Sequence, residues 1–148
     1  MQDLLFLLTV AAAAAAFAAL EVQIEGDAGW AASLPTWRYE GLSWLLGGRP
    51  LTGYHLYCHA FVLIAAHLPY GFGFVAPSLR AEARILAFVI LFWIVEDFLW
   101  FVINPAYGVR GFTKARATWH AHAWWWFMPR EYWIFLPAGI GLYVFSRA

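Results

Sequence analysis

Four apolar stretches, separated by two long polar ones and one short break, set the pattern of this chain. Leu4 to Leu20 carries no charge. Pro50 to Leu79 contains no Asp, Glu, Lys or Arg. Ile85 to Ile103 is apolar except for Glu96 and Asp97, and a shorter apolar run follows Glu131. Uninterrupted apolar runs of this length predict membrane-spanning helices, because about 20 residues of helix cross the hydrocarbon layer. The predicted spans are Leu4–Leu20, Thr52–Pro69, Ala83–Asn104 and Glu131–Ser146. The second ends where Pro69, Gly71, Gly73 and Pro77 cluster, and the third is stopped by Pro105. The fourth is short and weakened by Pro137, Gly139 and Gly141. The expected architecture is an all-α integral membrane protein: one domain over 1–148, four transmembrane helices in a bundle, and interfacial loop segments.

Composition supports that solvent. The chain is 64% hydrophobic and 12% charged, about half the charge a soluble surface carries. Ten Trp and seven Tyr suit the headgroup level of a bilayer. Nine basic and nine acidic residues cancel, and no basic patch points to nucleic acid. Cys58 is the only cysteine, so no internal disulfide forms. Met1-Gln2-Asp3 lacks the positive region of a secretory signal, so the first apolar run is expected to be a retained helix. Its alanine face, Ala11 to Ala16, suits close helix packing and would permit a homo-oligomer. Four spans leave both termini on one side. The long polar loops then carry Arg38, Arg49, Arg110, Lys114, Arg116 and Arg130, against Arg80, Arg84 and Arg147 opposite. The positive-inside rule places the loops in the cytoplasm.

Glu96 and Asp97 change the picture from a bundle to a site. Acids within a span are costly and normally face a cavity or a partner. At 1.5 Å per residue they lie roughly 10–12 Å below Asn104. His55 and His59 open the second span at that same end, and His120 and His122 lie in the loop after the third. Four of the five histidines, both acids and Asn104 therefore share one half of the membrane. Adjacent acids differ by about 100° on a helix, so one is expected to face the cavity. The other is expected to pair with a base such as Arg38 or Arg110, or with Trp N–H groups. A purely structural ion pair is the bland alternative.

His55 and His59, four apart, share a helical face. His120 and His122 share a face only if their segment is extended. Taken alone, each pair reads equally as interfacial histidines. Together with a carboxylate they suit a transition metal, zinc or iron foremost, rather than magnesium or calcium. Glu96 is then a ligand or general base and Asp97 an orienting acid. Cys58 reads as a small packing residue. In the first loop Glu25, Asp27 and Arg38 are candidates for substrate contact, with Asn104 beside them, and Leu34 to Arg38 are expected to fold over the cavity.

The stretch Glu96-Asp97-Phe98-Leu99-Trp100-Phe101 resembles the acid-pair segment of membrane lycopene cyclases. It covers six residues and implies no function. Five histidines are too few for the eight-histidine pattern of membrane desaturases, and the sole lysine, Lys114, is in a loop, which excludes a retinal Schiff base. The leading expectation is a metal-dependent membrane enzyme acting on a lipid-like or apolar substrate. A haem- or pigment-binding subunit and a small proton-coupled transporter using Glu96 or Asp97 are the alternatives.

Overall fold

A computed structural model describes all residues, 1–148. Four α-helices dominate it: α1 (Gln2–Glu25), α2 (Gly53–Gly71), α3 (Leu79–Ile103) and α4 (Arg130–Arg147). Helices α1 and α3 are each long and apolar enough to cross a membrane. The helix starts follow local chemistry. Thr52 Oγ1 accepts from the His55 N–H at 3.1 Å and caps α2, and Ser78 Oγ accepts from the Ala81 N–H at 3.1 Å and caps α3. Gly26, with φ +65°, ends α1, and Pro105 follows α3.

The helix α3 is the axis of the molecule. Both α1 and α4 pack along it, whereas α2 touches it sparsely. Gly139 makes the α3–α4 approach close, since a Cβ there would lie 2.9 Å from the Leu91 side chain. The termini meet at one end, where Arg147 Nε lies 3.1 Å from Asp3 Oδ1 and the Tyr143 hydroxyl donates to Asp3 at 2.6 Å. His67 Nε2 and Glu82 Oε1, 3.1 Å apart, join α2 to α3 near that end.

The opposite end is covered by the two long loops, and here the expectation of purely helical structure needs correcting. Two short antiparallel ribbons are present: β1 (Arg38–Tyr39) with β2 (Leu51–Thr52), and β3 (Trp124–Trp125) with β4 (Met128–Pro129). Strands of two residues show no alternation, so the pattern could not announce them. The first ribbon pins the loop to the start of α2. The Gly53 N–H donates to Trp37 O and the Tyr54 N–H to Thr36 Oγ1, and a Cβ on Gly53 would collide with the Trp37 indole. His120 and His122 sit in a 3₁₀ turn over Thr118–Ala123, not in an extended segment.

Candidate functional site

Beneath the loops lies a cavity of about 390 Å³, walled by all four helices and closed over by Trp30, Leu46 and Trp119. Two larger grooves follow the outer α1–α2 seam, but their linings are mainly apolar. The titratable groups concentrate in the cavity instead.

One wall is a chain of polar contacts anchored on Asp97. Arginine only donates, so the 3.0 Å contact from Arg49 Nη1 to His120 Nδ1 leaves that nitrogen as an acceptor. His120 therefore carries its proton on Nε2, which points at Asp97 Oδ1 3.3 Å away. The Tyr132 hydroxyl donates to Asp97 Oδ2. Arg49 also donates to Glu131 Oε1 at 3.2 Å and to Leu46 O at 2.7 Å, and its guanidinium lies 4.0 Å over the Trp30 ring. Burial pushes the Arg49 guanidinium below its ordinary value, while Glu131 and Asp97 act to keep it charged. The chain Glu131–Arg49–His120–Asp97–Tyr132 thus fastens both loops and α4 to α3. A third of the Asp97 side chain remains accessible, and it lines the cavity.

The other wall is acidic and incompletely bonded. Lengthening α1 to Glu25 puts Glu21 and Glu25 one turn apart on one face, and both are buried. Glu21 and Glu96 line this wall together, with their carboxyl groups close enough to interact directly. The Tyr54 hydroxyl donates to Glu21 at 3.0 Å, and the Ala31 N–H donates to Glu25. That last bond depends on a turn in which Trp30 and Ala31 are both left-handed, at φ 59° and 53°. Glu96 Oε1 has no partner, and the indole N–H groups of Trp93 and Trp100 are buried and equally unpartnered. Unbonded donors and an acceptor gathered at one cavity are uncommon in a folded chain.

The helical histidines face this space differently from a ligand pair. His55 stacks on Trp30 at 4.0 Å and His59 on Trp93 at 3.9 Å. His59 Nδ1 donates to His55 O at 2.8 Å, which leaves its Nε2 as a free lone pair. His55 Nδ1 is 2.7 Å from Thr52 Oγ1.

The cavity therefore brings together Glu96, Asp97, His55, His59, His120 and Glu25. It does not gather the four imidazoles expected to hold zinc or iron. His120 has both ring nitrogens engaged, and His122 is exposed beside Gly48, because a 3₁₀ turn diverges the two rings. No group of three or more His, Cys, Asp or Glu side chains has a metal-holding arrangement. Asp97 pairs with His120 and Tyr132, not with Arg38 or Arg110. Asp27 and Arg38 are exposed and outside the cavity; Arg38 bonds the carbonyls of Ala31 and Thr36. Asn104 is buried but occupied, donating to Gly26 O at 2.7 Å and accepting from the Ala106 N–H at 3.0 Å. The Leu34–Trp37 segment lines the outer seam instead of covering the site.

Glu21, Arg49, Trp93, Tyr132 and Glu131 join the site without having been expected there. Glu21 had a readable signal: with Glu25 it forms an i,i+4 acidic pair closing an apolar helix. The remaining four are placed by tertiary packing. Comparison with protein-family models, curated proteins and solved structures found no match for this chain.

Proposed function

We propose that this protein is a membrane-embedded acid–base enzyme acting on an apolar, lipid-like substrate. The observation that carries the reading is the Glu21–Glu96 carboxyl pair, set in a chamber that also presents histidines, Arg49, indoles and aliphatic side chains. Glu96 carries the proton shared with Glu21 and is the donor, and Tyr54 fixes Glu21. The Nε2 lone pair of His59 is a base on the opposite wall. One group adds a proton and the other removes one, so no oxidant is needed. Asp97 is a positioning residue, held by His120 and Tyr132.

The bilayer setting rests on the outer surface. Leu4, Leu5, Leu7 and Leu8 on α1, Phe61 and Ile64 on α2, and Ile140 and Val144 on α4 are all exposed, a belt that water would not tolerate. Only 22% of the most apolar stretch of α1 and 33% of that of α3 is buried, unlike core helices of a soluble domain. In this reading all four helices span, and the loop end faces the cytoplasm.

Incubating reconstituted protein with a lipid extract in heavy water tests the proposal. Solvent deuterium should enter one lipid species, and E96Q should abolish it while the protein stays folded. No incorporation by the wild type would overturn the catalytic reading. A pigment-binding subunit is the second reading, favoured by the four indoles, Trp30, Trp93, Trp100 and Trp119, that line the cavity. A visible absorption band in the purified protein decides for it.

A further inference from the structure

The cavity is not closed evenly. At the loop end it is sealed: Trp30 stacks on His55, lies under Arg49, and bonds Pro50 O through its indole N–H at 2.8 Å. Among its lining residues Glu21, Glu25, Arg49, Glu96 and His120 are buried, whereas His59 on α2 and Phe135 on α4 are exposed. Helices α2 and α4 share no extensive contact; each rests on α3, and α2 only lightly. The open side of the chamber is thus the flank between α2 and α4. It lies at the depth of Trp93 and Ile90, not among the loops.

The polar end of the chamber restricts the chemistry of an occupant. Five acids, Glu21, Glu25, Glu96, Asp97 and Glu131, line the chamber against one arginine, Arg49, which Glu131 already holds, so the balance works against a phosphate or carboxylate. The unpartnered groups there are two indole N–H donors and two carboxyl oxygens, Glu96 Oε1 and Glu131 Oε2. A hydroxyl satisfies both kinds, accepting from an indole and donating to Glu96 Oε1. The far end, seven residues down α3 at Val89 or roughly 10 Å away, is aliphatic and continues to Ile90 and Phe135.

We propose that the ligand is a neutral single-chain alcohol that enters sideways from the hydrocarbon layer, between α2 and α4. It passes the His59–Trp93 stack, seats its hydroxyl between Trp93, Trp100 and Glu96, and lays its chain along α3 towards Val89. This rests on the reading of a membrane-embedded acid–base chamber and identifies its substrate class and route.

The probe is a long-chain alcohol with a diazirine near its hydroxyl, dissolved in the lipid of vesicles that carry the reconstituted protein. Irradiation followed by peptide mapping should place adducts on Trp93 and Trp100. The matching diazirine fatty acid should label them far less. In a second arm, C58A/L63C/A138C protein, whose cysteines stand one turn beyond His59 and Phe135 at exposed positions outside the cavity lining, is joined across the flank with a flexible bis-maleimide before the probe is added. Labelling of Trp93 and Trp100 should be lost in the linked protein and kept in the unlinked one. Equal labelling of linked and unlinked protein overturns the lateral route and leaves the chamber standing. Equal labelling by acid and alcohol overturns the hydroxyl assignment. Adducts confined to outward residues such as Phe61 and Val144 overturn the chamber itself.

Discussion

Arg49 Nη1 lies 3.0 Å from His120 Nδ1, and this contact sets which nitrogen of His120 carries the proton. Everything on the Asp97 wall follows from it. With Nδ1 occupied as an acceptor, Nε2–H must donate, and Asp97 is the group it meets.

Replacing Arg49 by Met should therefore do more than remove a charge. It leaves His120 Nδ1 without its partner and Glu131 with only Arg130, 3.6 Å away, and breaking such a buried pair costs about 3 kcal/mol. The measurement is thermal unfolding in detergent, and a midpoint equal to that of the wild type would contradict the described chain.

The two loop histidines should separate sharply. H120A takes one hydrogen-bond partner from each of Arg49 and Asp97 in a buried setting, at a cost of about 2 kcal/mol. H122A alters an exposed ring and should stay within about 0.5 kcal/mol of wild type. Equal effects of the two substitutions would mean that His120 is not the link.

The carboxyl pair predicts non-additivity. E21Q and E96Q each break the same contact, so the double variant should lose less stability than the two losses combined, with a coupling of about 1 kcal/mol or more. Additive losses would show that the two acids do not meet.

Packing of α4 on α3 gives a matched control. In G139A the new methyl is driven into Leu91, for which overpacking costs about 1–3 kcal/mol. A Cβ on Gly141 meets nothing within 4 Å, so G141A should be neutral or gain up to about 1 kcal/mol from helix propensity. If G141A is the worse of the two, the helices are in another register.

The four-span topology is testable at its shortest helix. Eighteen residues of α4 reach about 27 Å, close to the hydrocarbon thickness of about 30 Å. In a C58A background, K114C and R147C should react with an impermeant maleimide from opposite faces of the membrane. Labelling from the same face would remove α4 from the spans.

The helices were legible because apolar runs and proline stops are local signals, and the observed boundaries lie within a few residues of the expected ones except at the C-terminal end of α1. That exception mattered. Ending the first helix at Leu20 hid Glu21 and Glu25 as a single acidic face. The gathering of His55, His59, His120 and the two acids at one end follows from alternating helix direction, and that too is readable in a sequence. What could not be read is which nitrogen meets which oxygen. The separation of His120 from His122 depends on a 3₁₀ turn that no periodicity marks. Arg49 reaches the site only because its loop folds under Trp30. Tyr132 arrives from α4 by packing alone.

The light seating of α2 on α3 divides the labour of the molecule. Apart from Tyr54 in the first turn of α2, the acids and their supports sit on α1, α3, α4 and the loops, so the part of α2 beyond Tyr54 can swing outward without disturbing Asp97 or the Glu21–Glu96 contact. Residence time then belongs to the α2 surface and affinity to the α3 face. Substitutions on the two helices would be told apart by kinetics, with those on α2 speeding exchange while leaving equilibrium occupancy nearly as it was.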